Sequence, residues 1–295
     1  MIYFHVPVML NEVLEYLKPK AGKKYIDCTL GGAGYTVAIA KKAGASGQVI
    51  GIDLDELAIK NAEAIIKEQK LKNITLINDN FKNLKKVITE KFSADEKFDG
   101  IVFDLGLSSA QLDDEARGFS FKGERPLDMS FGPSNAKSTE EIINNYPLLE
   151  LTRIFREYGE EKRAYQIAKA IVRERHENRI KTTGDLVMII EKCVPFRYRS
   201  KIHPATRVFQ ALRMETNEEL ASLLEVLPDA LSILKPKGRL VIVSFHSGED
   251  RIVKRFFKGE DGVKILTKRP LIPTELETEA NPRARSAKLR VAEKI

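Results

Sequence analysis

Asp53 ends a short apolar run, Gln48 to Ile52, and stands roughly 22 positions after Gly31, close to the ~20 at which a carboxylate takes up cofactor ribose hydroxyls. The glycines belong to the turn Asp27-Cys-Thr-Leu-Gly31-Gly32-Ala33-Gly34-Tyr35-Thr36. Glycines between a strand and a helix let backbone N–H groups approach a ligand closely, and the helix N-terminus adds favourable polarity. A turn alone is ordinary punctuation and a lone Asp an ordinary surface charge; in this order the two indicate a cofactor that contains adenosine. Laying G-x-G-x-x-G on Gly32 and Gly34 puts Val37 where a pyrophosphate site needs Gly or Ala, which counts against NAD and an oxidoreductase. A methyl donor of the S-adenosylmethionine type has no pyrophosphate and loses nothing by that departure.

A second group follows the apolar core Ile101-Val102-Phe103: Asp104-Leu-Gly106-Leu-Ser108-Ser109, then Gln111. Ligands of open α/β sheets bind beyond the carboxyl ends of the strands, so Asp104 and its loop are expected to face the cofactor, a simple turn cap being the alternative. His246 lies just past Arg239 to Phe245, as an acid/base group or as a cap. An acceptor at either place would assist a weakly nucleophilic amino group by taking its N–H hydrogen. Methylation of a pyrimidine carbon would instead need a cysteine nucleophile. Cys28 and Cys193 are in neither of these loops, so displacement at an exocyclic nitrogen is the favoured chemistry. Phe119, Phe121 and Phe245 are candidates for base stacking or for core packing. His5, His176 and His203 have no metal-ligand spacing, and no metal is expected.

The elements that position these groups alternate strictly. Strands are predicted at Tyr25–Thr29, Gln48–Asp53, Ile74–Asn78 and Phe98–Asp104, with helices at Thr36–Ala43, Glu56–Gln69 and Lys82–Lys91 between them. Such alternation indicates parallel strands joined by right-handed crossovers. After Asp104 it stops for about a hundred residues, more than one connection needs. We therefore expect a cofactor-binding domain from 1–112 and 214–295, interrupted by a mainly helical insertion, 113–213. In the insertion, helices are predicted at Glu140–Asn144, Leu148–Glu157, Glu161–Glu174 and Thr183–Cys193. Thr216-Asn-Glu-Glu219 has capping-box spacing before a leucine-rich helix, in which Pro228 predicts a kink or break. Arg239–Phe245, Val263–Thr267 and Leu289–Glu293 are the remaining predicted strands.

The chain has 295 residues and a formal net charge of +7, an excess that favours an anionic partner without specifying one. Its placement is more informative. No acidic residue lies between Glu191 and Glu215, where Arg197, Arg199, Arg207 and Arg213 alternate with Phe196, Tyr198 and Phe209. Cations neutralise phosphates and aromatics stack on unpaired bases, so RNA contact is one reading of this stretch and a solvated basic face the other. Arg283, Arg285, Lys288 and Arg290 form a second cluster. The N-terminus lacks a basic segment before its apolar residues, and no stretch is apolar for long enough to span a bilayer; a cytoplasmic protein without membrane contact is expected.

Several further blocks fit one family. His5-Val-Pro-Val8, Asp27-x-Thr29-x-Gly31, Gly51-Ile-Asp53, Asp104-Leu-Gly-x-Ser-Ser109, Arg117-Gly-Phe-Ser-Phe121, Pro126-Leu-Asp-Met129, Tyr158-Gly-Glu-Glu161, Pro204-Ala-Thr-Arg207, Phe209-Gln-Ala-Leu-Arg213, Ser244-Phe-His-Ser247 and Asn281-Pro-Arg-x-Arg-Ser-Ala-Lys288 occur in order. In these the sequence resembles the RsmH (MraW) family of 16S ribosomal RNA cytosine-N4 methyltransferases. The resemblance implies a Rossmann-like class I S-adenosylmethionine methyltransferase fold, α/β, with a mostly parallel seven-stranded sheet and an inserted helical domain. It implies S-adenosyl-L-methionine as cofactor and 16S rRNA within the small ribosomal subunit as partner. Cofactor contacts would fall on Ala33, Gly34, Tyr35, Asp53, Phe81, Asp104 and Gln111. Where the family usually reads Gly-Gly-His, this chain has Ala33-Gly34-Tyr35.

Overall fold

The computed structural model describes residues 7–108, 111–112, 114, 117–120, 123–132, 137–194 and 203–295. The chain divides into two compact units, one of Met1–Ser108 with Leu220–Ile295 and one of Ser109–Glu219.

The first unit is a seven-stranded sheet in the order β3-β2-β1-β4-β5-β7-β6. Its strands are β1 (Lys24–Asp27), β2 (Gln48–Asp53), β3 (Ile74–Asn78), β4 (Phe98–Asp104), β5 (Leu234–Ser244), β6 (Val263–Ile265) and β7 (Lys288–Lys294). The first five are parallel, and β7 enters antiparallel between β5 and β6. A dinucleotide-binding sheet runs 3-2-1-4-5-6 with no such insertion. The mostly parallel sheet expected from the sequence is therefore present, and its order is not that of the nicotinamide enzymes.

Alternation along the central strands builds two cores. Ile26, Ile50, Ile52, Ile101, Phe103, Leu240 and Ile242 point to one face, packed by residues of α4 (Leu84–Lys91), α10 (Glu219–Ile233) and α11 (Ser247–Gly259). Tyr25, Val49, Val102, Val241, Val243 and Val291 point to the other, under α1 (Leu10–Leu17) and α2 (Gly34–Ala43). At about 1.5–3 kcal/mol for each large apolar side chain fully buried, this two-sided packing accounts for the continuous Val/Ile content of the inner strands. The remaining crossover helix, α3 (Glu56–Glu68), is capped by Asp55, whose carboxylate accepts from the Leu57 N–H.

The second unit contains α5 (Thr139–Asn145), α6 (Leu148–Glu157), α7 (Ala164–Glu177), α8 (Thr183–Cys193) and α9 (Ala205–Thr216). Ser138 and Thr182 begin α5 and α8 with complete capping boxes. Helix α9, not assigned from the sequence, packs on α5, α6 and α8, and so carries residues up to Glu219 into this unit.

Three sequence expectations change. Thr216 closes α9 instead of capping the next helix, and its hydroxyl shares a hydrogen bond of 2.7 Å with Thr139. Helix α10 runs unbroken through Pro228; the carbonyl deprived of a donor belongs to Leu224, a residue 57% exposed, where water is at hand. Strand β5 begins at Leu234, directly from α10, and its pairing with β4 jumps from Phe98↔Leu234 to Gly100↔Arg239. Lys97 and Lys294 satisfy the helix end, Lys294 Nζ donating to the carbonyls of Leu231 and Leu234, both at 2.8 Å.

Candidate active site

Strands β1 and β4 are neighbours whose crossovers run in opposite directions, which makes the carboxyl ends of these two strands the topological switch point of the sheet. Three aspartates stand there or one strand away, each ending a strand: Asp27 on β1, Asp53 on β2 and Asp104 on β4. Side-chain hydrogen bonds join the three strand ends to the turn after β1. Asp27 Oδ2 accepts from Thr36 Oγ1 at 2.7 Å and Oδ1 from the Thr29 N–H at 3.2 Å. Thr29 Oγ1 in turn accepts from the Asp104 N–H at 2.6 Å. Asp53 Oδ2 accepts from the Gly31 N–H at 2.8 Å and Oδ1 from the Asp55 N–H at 2.9 Å.

The turn itself is tight. Gly31 and Ala33 both have left-handed φ, +46° and +61°, and the Ala33 N–H closes back on the Leu30 carbonyl at 2.7 Å. Gly34 opens α2 against Pro7; a Cβ there would lie 2.7 Å from Pro7 Cγ, so no larger residue fits without displacing the N-terminal segment. Ser108 lies beside Gly31, which brings the loop after β4 next to the turn after β1.

Tyr35 is placed differently from what a cofactor contact through its ring would need. Its side chain is buried in the core under α1, and its hydroxyl donates to the Val8 carbonyl. Only its backbone is left for a ligand. Phe81, after β3, meets Phe103 edge to face at 5.7 Å and packs on the α10 side of the sheet. Gln111 belongs to the second unit, where it is buried.

The electrostatics follow from burial without compensating cations. Burial pushes the carboxyl groups of Asp27 and Asp53 up to about 6, against the hydrogen bonds that lower them. Asp104 is raised well above the usual carboxylate range by burial, with Asp27 and Glu249 adding repulsion. Its Oδ1 is buried and has no hydrogen-bond partner among the described residues. Among the described residues, no Lys or Arg forms an ion pair with any of the three.

His246 is the N-cap of α11. Its Nδ1 accepts from the Glu249 N–H at 3.4 Å, its Nε2 lies 3.1 Å from Glu249 Oε1, and Glu249 Oε2 accepts from the Phe245 N–H at 2.8 Å. Only Nδ1 is used in the cap, which orients the segment after β5; Nε2, though close to Glu249, is buried and makes no hydrogen bond among the described residues.

The candidate RNA contacts separate. Arg207, Arg283 and Arg285 are exposed. Arg213 is not available: only 12% of its side chain is exposed, and it pairs bidentately with Glu219 at 2.7 Å on both oxygens. Arg290 and Lys288 are engaged with Asp250. Arg197, Arg199 and Phe121 lie outside the described residues. Phe119 is buried and stacks at a tilt on Phe131, 5.8 Å away. Asp27 and Thr29 were missed as site residues by spacing, although their Asp-x-Thr pattern is one of the family blocks.

Strand order and acceptor-lined turn define a Rossmann-like methyltransferase domain: a site of uncompensated carboxylates suits hydroxyl donors and a cationic ligand, and disfavours a pyrophosphate. The chain belongs to the MraW methylase family, which it matches over residues 2–295. It is 45% identical over 313 aligned residues to the ribosomal RNA small subunit methyltransferase H of Carboxydothermus hydrogenoformans, covering 100% of this chain and 99% of that one. The proteins of the same name from Heliobacterium mobile and Clostridioides difficile are each 44% identical, with full coverage of both chains. Among solved structures, an rRNA methylase from Streptococcus thermophilus aligns with a TM-score of 0.46 at 13% identity, over 97% of this chain and 93% of that one, a slight likeness.

Proposed function

We propose that this chain transfers the methyl group of S-adenosylmethionine to the N4 amino group of a cytidine in 16S ribosomal RNA of the small subunit. Family membership and the full-length similarity to proteins named ribosomal RNA small subunit methyltransferase H support the reaction class and the substrate. The observation that carries the chemistry is Asp104 Oδ1, a buried acceptor at the switch point without a partner among the described residues.

The residues present fit the cofactor. Asp53 uses one lone pair of each oxygen on a backbone N–H and keeps the others for ribose hydroxyls. The turn Gly31–Gly34 brings backbone close, and Phe81 offers an apolar surface after β3. S-adenosylmethionine supplies, when bound, an electrophilic methyl group on a positively charged sulfur, whose charge the carboxylates Asp27 and Asp104 would favour.

The lone pair of the cytosine amino group is delocalised into the ring. Asp104, accepting one N–H at Oδ1, increases the electron density on that nitrogen. As the new C–N bond forms and the C–S bond breaks, the nitrogen gives up its proton to the same carboxylate. Burial, with added repulsion from Asp27 and Glu249, raises Asp104 and makes it a better acceptor for that proton. Alignment supplies the rest, since in-line displacement depends on proximity and geometry. His246 and Glu249 orient the segment after β5. Arg207, Arg283 and Arg285 are the exposed cations proposed to meet RNA phosphates, and residues 113–213 the part proposed to recognise RNA.

Both cysteines are free, Cys28 buried and Cys193 half-buried, and none is needed. A Cys28→Ala, Cys193→Ala variant incubated with small-subunit RNA should still turn over, with the methyl on the cytosine amino nitrogen in nucleoside mass spectrometry. A 5-methylcytosine product would refute the reading.

A further inference from the structure

At the opposite pole of the sheet, where β1 and β4 begin and β7 ends, lies a cavity of about 330 Å³. Leu17, Lys18, Lys20, Lys23, Tyr25, Asp99 and residues 236–239 with Glu293 line it. Its two carboxylates are already neutralised. Asp99 is met by Lys235 at 2.9 Å and Lys23 at 3.5 Å, and Glu293 by Arg239 at 3.2 Å. Lys18, Lys20 and Lys237 remain around one opening, exposed and with no carboxylate partner among the described residues.

Two further observations set this cluster apart from a solvated basic face. Lys18 and Lys237 both hold left-handed backbone, φ +51° and +65°, positions at which Gly or Asn is the easier residue. Both rim positions carry a cation in that strained conformation. Tyr25 is 2% exposed; its hydroxyl oxygen accepts from the Lys20 N–H at 2.9 Å, and its own hydrogen finds no acceptor among the described residues. A buried O–H donor and three uncommitted ammonium groups are complementary to a multivalent anion.

We propose that this cavity binds a nucleotide phosphate. Its volume is at the lower end of the range for small-molecule sites, enough for a phosphate with one nucleoside. The seven residues of β4 put it about 20 Å from Asp104, so a ligand here takes no part in methyl transfer. The phosphate comes either from a free mononucleotide or from the backbone of an RNA whose target base lies at the other pole; the site does not depend on which base is methylated.

The test uses the full chain and a Lys18→Gly, Lys237→Gly variant. Glycine adopts both left-handed positions without strain, so the variant keeps the fold, which its S-adenosylmethionine affinity reports independently. Adenosine 5′-monophosphate, inorganic phosphate and a short single-stranded RNA are titrated by calorimetry at several salt concentrations. A tenfold or greater loss of mononucleotide affinity, with cofactor affinity unchanged, supports a free-nucleotide site. Loss confined to the RNA, with a salt slope lower by about 1.4 for two lost phosphate contacts, supports the RNA backbone. Tyr25→Phe should weaken the same ligand by itself. No difference between the proteins with any of the three probes overturns the proposal and leaves the methyltransferase reading untouched.

Discussion

Replacing Asp27 by Asn should make the protein relatively more stable at neutral pH than at pH 4. Asp27 is fully buried and its carboxyl is held at about 6 in the folded chain, against 3.8 when exposed. Below 3.8 the group is protonated in both states and opposes nothing. As pH rises through about 6 the folded protein must ionise a buried carboxyl, so the stability present at low pH is lost across that window. Holding the proton over roughly two additional pH units corresponds to about 3 kcal/mol, at ~1.36 kcal/mol for each. Asn keeps an oxygen for the Thr29 N–H and turns its amide toward Thr36 Oγ1, which can accept as readily as donate; the Thr36 N–H, which also bonds the carboxylate, loses an acceptor, an offset that is the same at every pH. Denaturant unfolding of both proteins at pH 4, 5, 6 and 7 reads this contribution together with the release of Asp104 and Asp53 from the repulsion of Asp27, which acts in the same direction. The expected result is a difference in unfolding free energy that moves by about 2.4 kcal/mol in favour of Asn from pH 4 to pH 7, the rest of the effect lying below pH 4 where the unfolded carboxyl begins to ionise. Parallel curves would show that burial is not what governs this carboxylate.

Asp53→Asn should weaken S-adenosylmethionine binding by about 1.5–3 kcal/mol, and the native protein should lose affinity as pH falls through about 6, where Asp53 takes up its proton; calorimetry reads both. Asp104→Asn should lower kcat by ~10²–10⁴ with cofactor affinity retained, and should abolish a rising limb in the pH–rate profile that lies above the ordinary carboxylate range; an unchanged profile removes Asp104 as proton acceptor. Charge reversal at Arg283 and Arg285 should reduce RNA affinity and its salt dependence while cofactor binding stays constant, and an unaltered slope would assign both to a solvated face.

Strands β2, β3 and β4 were legible to the residue because apolar runs flanked by turn residues have few other solutions in a sheet covered on both faces. Asp53 was legible because spacing fixes it relative to the turn. Helix α9 was not: its cations obscured Ala205, Val208, Phe209 and Leu212, buried at helical intervals. The same cations made Arg213 look available, whereas its partner Glu219 is six residues on and meets it only once α9 has ended. Tyr35 could not be read at all, since its role depends on Val8, which folding brings to it from 27 residues away. Nor could the proton affinity of Asp104, which arises from burial and from Asp27 and Glu249 on other strands and helices.

The placement of β7 has a consequence for how the chain is made. Among the described strands, β6 pairs with β7 alone, and the outer edge of β5 is covered by β7 alone. Until β7 is synthesised, Leu240 to Val243 present an apolar strand edge able to template pairing with another chain. At ~5–20 residues per second, the roughly 50 residues between the end of β5 and the end of β7 keep that edge open for about 3–10 s in every round of translation. A nascent chain stalled within α12 (Glu275–Ala280) would hold it open indefinitely, with α11 folded over one face of a sheet that has no neighbour on its growing side.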